Sequence, residues 1–268
     1  MRILTIGVIL LSLIGCSQNS NGETNTSTDI LLSQDENASV NTLLLVENTD
    51  IESIPFVILR MNRNDSYITM ADSVMPSVSD SAVALCVEAA FTGELLKDFK
   101  STNVGGDYVI DGVLHMGYNC KANTGFLYAD KTIYTISSSE HCEEWIGKAQ
   151  KSGGSLFQQI LIVQNGKNVY SGAPITPTTP NIYRAACIMN DGNFAVIQSI
   201  KALPLKSFIE SLIKLGVSDA LYLDMGKGWN YGWYRQTVMD SPIMLFEYRT
   251  QYQTNRLLIK AKNGNEKN

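Results

Sequence analysis

Histidine is nearly missing from this sequence: His115 and His141 are the only two in 268 residues. A site needing two or three imidazoles has little to draw on, so each reads as a surface or hydrogen-bonding side chain. The cysteines are widely spaced and form no CxxC pair, which argues against zinc. Also missing are a GxSxG elbow, an HExxH helix, a phosphate-binding P-loop and a GxGxxG turn opening a helix. Basic clusters are absent too. The 21 Lys and Arg are scattered against 26 Asp and Glu, a net charge of −5, which excludes a nucleic-acid partner held by its phosphates. No apolar run reaches the roughly 20 residues that a helix needs to cross a bilayer.

What is present begins with an address. Arg2 supplies a positive charge, Ile3 to Ile14 is almost unbroken apolar sequence, and Leu13-Ile14-Gly15-Cys16 closes it. The run is too short to span and fits the hydrophobic region of a signal peptide. The closing tetrapeptide resembles a lipobox. The expectation is a signal peptide over 1–15, cleavage before Cys16, and acylation of that cysteine by palmitate-like chains. Several acyl chains would hold the protein on a membrane without a spanning helix. The chain would then face the periplasm or the cell surface. Residues 16–40 are rich in Ser, Asn, Thr, Asp and Glu and cannot bury enough apolar area to order themselves. They read as a lipidated flexible tether.

Residues 41–264 suffice for one domain with a real core, and 44% hydrophobic with 18% charged residues is ordinary for one. Four cysteines fall within it: Cys86, Cys120, Cys142 and Cys187. Outside the cytoplasm they permit two disulfides in any of three pairings. Cys86 and Cys187 sit in apolar runs, where free buried thiols are the alternative. Both remain open. The sequence is silent on oligomeric state.

Short apolar runs at Thr42–Val46, Pro55–Leu59, Tyr67–Met70 and Ala82–Ala90 read as strands. Asp111-Gly112, Asn165-Gly166 and Asp191-Gly192 lie between apolar runs and favour hairpin turns. Cys142 to Ser152 reads as a short helix before Gly153-Gly154. Leu205, Phe208, Ile209, Leu212 and Ile213 form one helical stripe, opened by Pro204 and stopped by Gly216. This helix lies between strands at Phe194–Ile200 and Ala220–Asp224. The class expected is α+β: a single domain with a large mixed or antiparallel sheet and a few packed helices.

The segment from Leu221 to Arg235 is the richest in chemistry. Asp224 leaves an apolar strand into a glycine-spaced loop, and Trp229 and Trp233 follow. In an extended loop Trp229, Tyr231 and Trp233 point one way and Tyr234 the other. Aromatic faces beside a carboxylate suit a sugar ring; the alternative is an aromatic corner closing the core.

Four stretches together resemble the phosphodiester glycosidase family, which includes the enzyme that uncovers mannose 6-phosphate and many bacterial proteins. They are Cys86 to Gly93, Gly105 to Gly112, Ile182 to Ala186, and Leu205 to Gly226. In the family they match an Asn-Gly-Gly-Phe-Phe type strand end, the turn after it, an Arg-Thr/Ala segment, and helix–strand–Asp-Gly-Gly. Glu88 stands where the family has Asn, Ala89-Ala90 replace Gly-Gly, and Met225 replaces the middle glycine of Asp-Gly-Gly. The branch is divergent.

The resemblance implies an exported hydrolase acting on a sugar-1-phosphodiester or related glycan linkage. Arg184 would grip the phosphate. Asp224 and Glu88 would be the two carboxyls at the sugar. Thr92, Asp107, Trp229, Tyr231 and Trp233 would shape the pocket. No cofactor is implied; Asp224 offers one oxygen to a divalent cation, which alone makes no coordination sphere. The alternative is a non-catalytic glycan-binding lipoprotein with a degenerate site. For single residues, Arg184 and Asp224 could instead form a buried salt bridge, and Glu88 could be a solvated strand end.

Overall fold

The computed structural model describes residues 41–94, 97–172, 180–226, 230–246 and 252–262. The expected signal peptide, Cys16 with its lipid, the tether and Trp229 lie outside the described residues. The described residues belong to one compact unit, Ser39–Asn268.

The strands in chain order are β1 (Leu44–Ile51), β2 (Ile54–Met61), β3 (Ser66–Ala71), β4 (Val83–Glu88), β5 (Tyr108–Ile110) and β6 (Val113–His115). Next come β7 (Gly125–Ala129), β8 (Tyr134–Ser138), α1 (Cys142–Ser152), β9 (Ser155–Gln159), β10 (Leu161–Gln164) and β11 (Lys167–Asn168). The remainder is β12 (Arg184–Met189), β13 (Phe194–Ser199), α2 (Leu205–Lys214), β14 (Val217–Leu223), β15 (Gly232–Tyr234), β16 (Ile243–Phe246) and β17 (Arg256–Ala261).

These strands make three sheets: β1-β2-β13-β12-β14-β10-β11, β16-β15-β4-β17-β3 and β6-β5-β9-β7-β8. Every ladder between them is antiparallel. With two α-helices packed on them, the class is α+β. The expected strand–helix–strand unit is present as β13, α2 and β14, with β12 running antiparallel between the two strands.

Alternation along β12 explains why its sequence is apolar after Arg184. Ala186 and Ile188 pack into the core that the three sheets share, while Ala185, Cys187 and Met189 face the layer under α2. A strand covered on both faces has no position left for a solvated side chain. On α2, Leu205, Phe208, Ile209 and Leu212 are buried, which contributes roughly 6–12 kcal/mol of apolar transfer before entropy is counted. Lys206 and Glu210 face water as an i,i+4 pair. Pro204 caps the start of the helix, and Gly216, at φ +81°, ends it in a conformation that a side chain would resist.

Two of the three turn dipeptides form the left-handed pair that a two-residue hairpin requires: Asp111 and Gly112 at φ 47° and 83°, Asn165 and Gly166 at 49° and 69°. Asp191-Gly192 differs, because only Gly192 has positive φ there. The four cysteines of the domain are all free thiols, with Cys86, Cys142 and Cys187 buried.

Candidate active site

The three sheets are stitched together at the residue after β4. The Ala89 carbonyl accepts the Asp224 N–H at 3.1 Å, from the end of β14 in the large sheet. It also accepts Gln159 Nε2 at 3.2 Å, from the end of β9 in the third sheet. The Ala89 and Ala90 amides donate to the Asn255 backbone carbonyl and Oδ1, just before β17. Strand ends from distant parts of the chain therefore converge on Glu88, Ala89 and Ala90, and bring the sequence-predicted residues with them.

Glu88 sits opposite Arg256 in the β4–β17 ladder, with Oε1 3.6 Å from Nη2. It has no solvent contact, which rules out the solvated strand end considered for it. The physical reason is register: its strand is covered on both faces up to its last residue. Neither carboxyl oxygen has a hydrogen-bond partner among the described residues. Burial pushes its pKa up to about 8; Arg256 opposes the rise, and the nearby Asp224 adds to it. Burial likewise pushes Asp224 up to about 7, opposed by the Gly226 N–H that donates to Oδ1 at 2.9 Å. Asp224 keeps 5% of its surface exposed, at the start of the loop.

Arg184 also converges here, but its guanidinium is committed to the protein. Nε donates to Gln198 Oε1 at 2.8 Å, and Nη1 and Nη2 donate at 3.3 Å to the carbonyls of Tyr231 and Asn230. It is fully buried, and burial lowers its pKa to about 10. Gly232 lets it lie there, since a Cβ would come within 3.0 Å of Nη2. The expectation of a phosphate-gripping guanidinium is thus corrected: Arg184 holds the 230–231 backbone. Nor does it form the buried ion pair with Asp224, for no such contact joins them.

The described part of the aromatic segment, Tyr231 to Tyr234, alternates as expected, yet it turns inward. Tyr231 and Trp233 pack with Val83, Cys86 and Leu258 on one face of the middle sheet, while Tyr234 enters the shared core. Trp233 is fully buried, which corrects its reading as a sugar platform; an extended strand beside β4 leaves its ring nowhere else to go. Thr92 donates its hydroxyl to Thr254 Oγ1 at 3.0 Å, beside the Asn255 contact. Arg256, Thr254, Asn255 and Gln159 escaped sequence reading, since only long-range pairing brings them to Glu88.

Beside this corner lies an open cleft of about 450 Å³ between the 106–123 segment and the start of α1. Asp107 and Tyr118 line it. Burial raises the pKa of the Tyr118 phenol, and the neighbouring Cys120 and the Asp224 charge add to the rise. Among the described residues no group of three or more His, Cys, Asp or Glu could hold a metal ion, and no helix is long and apolar enough to cross a membrane.

No family model matches the sequence, and no curated protein matches it. Among solved structures, the catalytic domain of zebrafish N-acetylglucosamine-1-phosphodiester alpha-N-acetylglucosaminidase, auto-inhibited by its pro-peptide, is similar in fold. The TM-score is 0.52 at 11% identity, over 85% of each chain. A hypothetical protein from Synechocystis aligns at TM-score 0.46 and 11% identity, over 82% of this chain and 62% of its own, too weak a likeness to carry an argument. The fold of this chain is phosphodiester-glycosidase-like.

Proposed function

We propose that this chain is a hydrolase of the phosphodiester glycosidase type, cleaving a sugar-1-phosphodiester or related glycan linkage. Glu88 and Asp224 are its reacting carboxyls. The reading rests above all on Glu88: a carboxyl buried with both oxygens lacking a hydrogen-bond donor, within electrostatic reach of a second buried carboxyl. Such a group costs stability, about 1–3 kcal/mol for each unsatisfied polar group, and strongly perturbed carboxyls cluster where chemistry needs them.

Their environments suit a division of labour. At neutral pH Glu88 is mostly protonated and able to give a proton to the leaving oxygen. Asp224, lower and nearer the surface, takes the role of base or of stabiliser for a developing positive charge at the anomeric carbon. Arg184 is a positioning residue that holds the loop after Asp224 through the Asn230 and Tyr231 carbonyls. Acylation of Cys16 and residence on a membrane outside the cytoplasm complete the proposal.

Turnover of a chromogenic sugar-1-phosphodiester by the purified protein tests it. Glu88→Gln and Asp224→Asn are each expected to lower kcat at least ~100-fold while the fold is kept. The kcat/KM profile should peak between about pH 7 and about pH 8, where Asp224 is ionised and Glu88 still protonated. A second reading, a non-catalytic glycan-binding protein, is favoured by the absence of solvent contact at Glu88 and Arg184. It wins if the wild type binds sugar and turns nothing over.

A further inference from the structure

β17 opens on an arginine, Arg256, followed by Leu257, Leu258 and Ile259, and all four residues are buried. Register sets Arg256 directly across from Glu88 at the end of β4, so the ladder brings a guanidinium and a carboxyl together away from water. The two groups are near but not joined. Nη2 lies 3.6 Å from Oε1, longer than a hydrogen bond. Both Glu88 oxygens and Arg256 Nε are without a partner among the described residues, while Arg256 Nη1 donates to the Thr254 carbonyl at 3.1 Å. A buried pair that served stability would close this gap, because desolvated charges are compensated only by good geometry and full hydrogen bonding.

The gap makes sense if Glu88 is neutral at rest, since a protonated carboxyl gives the guanidinium no charge to meet. That changes when the proton leaves. As the Glu88 O–H bond breaks, the proton goes to the leaving oxygen and the electron pair stays behind as a carboxylate closed off from water. Arg256 is the cation already standing beside it, and a charge fixed where the opposite charge develops needs no reorganisation. Burial raises the Glu88 pKa, and Arg256 is the first influence against that rise. The other groups facing Glu88 do not take this part. Arg184, from β12, is bonded to Gln198 and to backbone carbonyls. Asp224, after β14, carries the wrong sign, and Cys86, on β4 itself, is a neutral thiol whose pKa burial pushes up to about 12.

We propose that Arg256 is a positioning residue that acts through Glu88, stabilising the carboxylate that Glu88 becomes when it gives its proton to the leaving group. The water consumed in the hydrolysis later returns that proton. The assignment rests on the catalytic reading of Glu88, whereas the electrostatic coupling of the two side chains exists with or without turnover.

Carbon-13 NMR titration of the glutamate-labelled protein, with the Glu88 signal assigned from Glu88→Gln, tests the coupling without substrate. Arg256→Gln and Arg256→Met should each move the Glu88 midpoint up by at least about one pH unit, the usual effect of losing a nearby opposite charge. Arg256→Lys keeps the charge and should stay within about half a unit of wild type. Both neutral variants should fold at pH 6, where Glu88 is protonated and no unpaired charge is left behind. With a chromogenic sugar-1-phosphodiester, Arg256→Gln should lower kcat at least ~10-fold and leave KM within about twofold. Its alkaline limb should move up in pH while the acid limb, set by Asp224, stays in place. An unmoved Glu88 midpoint, a loss of activity at every pH with both limbs unmoved, or neutral variants that do not fold at pH 6 would each overturn the assignment in favour of a structural pair. A wild type that turns nothing over sinks the hydrolase reading and with it the part of Arg256 in proton transfer; an unmoved midpoint in an active enzyme sinks the Arg256 assignment alone.

Discussion

Glu88 and Asp224 carry a cost that depends on pH, and its sign follows from their raised pKa values. Between about 4.5 and about 8 the folded protein holds a proton on Glu88 that the unfolded chain has released. Stability from this group is therefore greatest below its unfolded pKa and is lost as pH rises toward the folded one. Asp224 acts in the same direction between its ordinary 3.8 and about 7. Glu88→Gln removes the Glu88 share of the loss. Relative to wild type it should gain stability, on the order of a few kcal/mol, between pH 5 and pH 8. Urea unfolding of both proteins at the two pH values checks this; a constant difference would mean that Glu88 does not titrate as its burial demands. Any fixed cost of weakening the Arg256 contact cancels in that comparison.

At the level of elements, the hairpin between β1 and β2 carries a strain that its sequence does not advertise. Ile51 pairs with Ile54 across a two-residue turn in which Glu52 and Ser53 take φ 51° and 67°. No glycine or asparagine is there to adopt that conformation cheaply, as Asn165-Gly166 does in the β10–β11 hairpin. The left-handed region costs an ordinary residue roughly 1–2 kcal/mol. Ser53→Gly should therefore raise stability by about 1 kcal/mol, seen as an increase of roughly 2–4 °C in Tm. It leaves untouched the 2.5 Å ion pair from Glu52 to Lys214 on α2. A fall in Tm would show that the turn is relaxed in spite of its φ values.

For the molecule as a whole, the acid corner exists because three sheets share one junction. The Ala89 carbonyl receives a bond from the end of the large sheet and one from the end of the third, and directly follows β4 of the middle sheet. The proposed catalysis and the stability of the fold are therefore drawn from the same few residues. The proposed anchor lies at the other level of organisation, between the domain and its membrane. Cys16→Ser should move the protein from the membrane fraction to the soluble fraction and abolish incorporation of labelled palmitate, while leaving domain unfolding unchanged. A wild-type protein that takes up no label would remove the lipoprotein proposal.

Local chemistry was legible from the residues in order. The stripe over α2 with its Pro204 and Gly216 ends, the span of α1 and the Asp111-Gly112 and Asn165-Gly166 turns each depend on side chains within a few positions, so their signal is carried whole by a short window. Glu88, Arg184 and Asp224 were legible as chemistry-bearing residues at strand ends, but not as to which of them face solvent. Only the tertiary structure decided that the strands divide among three sheets, that Arg256 stands opposite Glu88, that Arg184 grips backbone, and that Trp233 faces the interior. Those outcomes turn on pairing and register between segments far apart in the chain, such as Glu88 and Arg256 at 168 positions. A shift of one residue there would exchange the inward and outward faces of a strand while leaving its local sequence pattern unchanged.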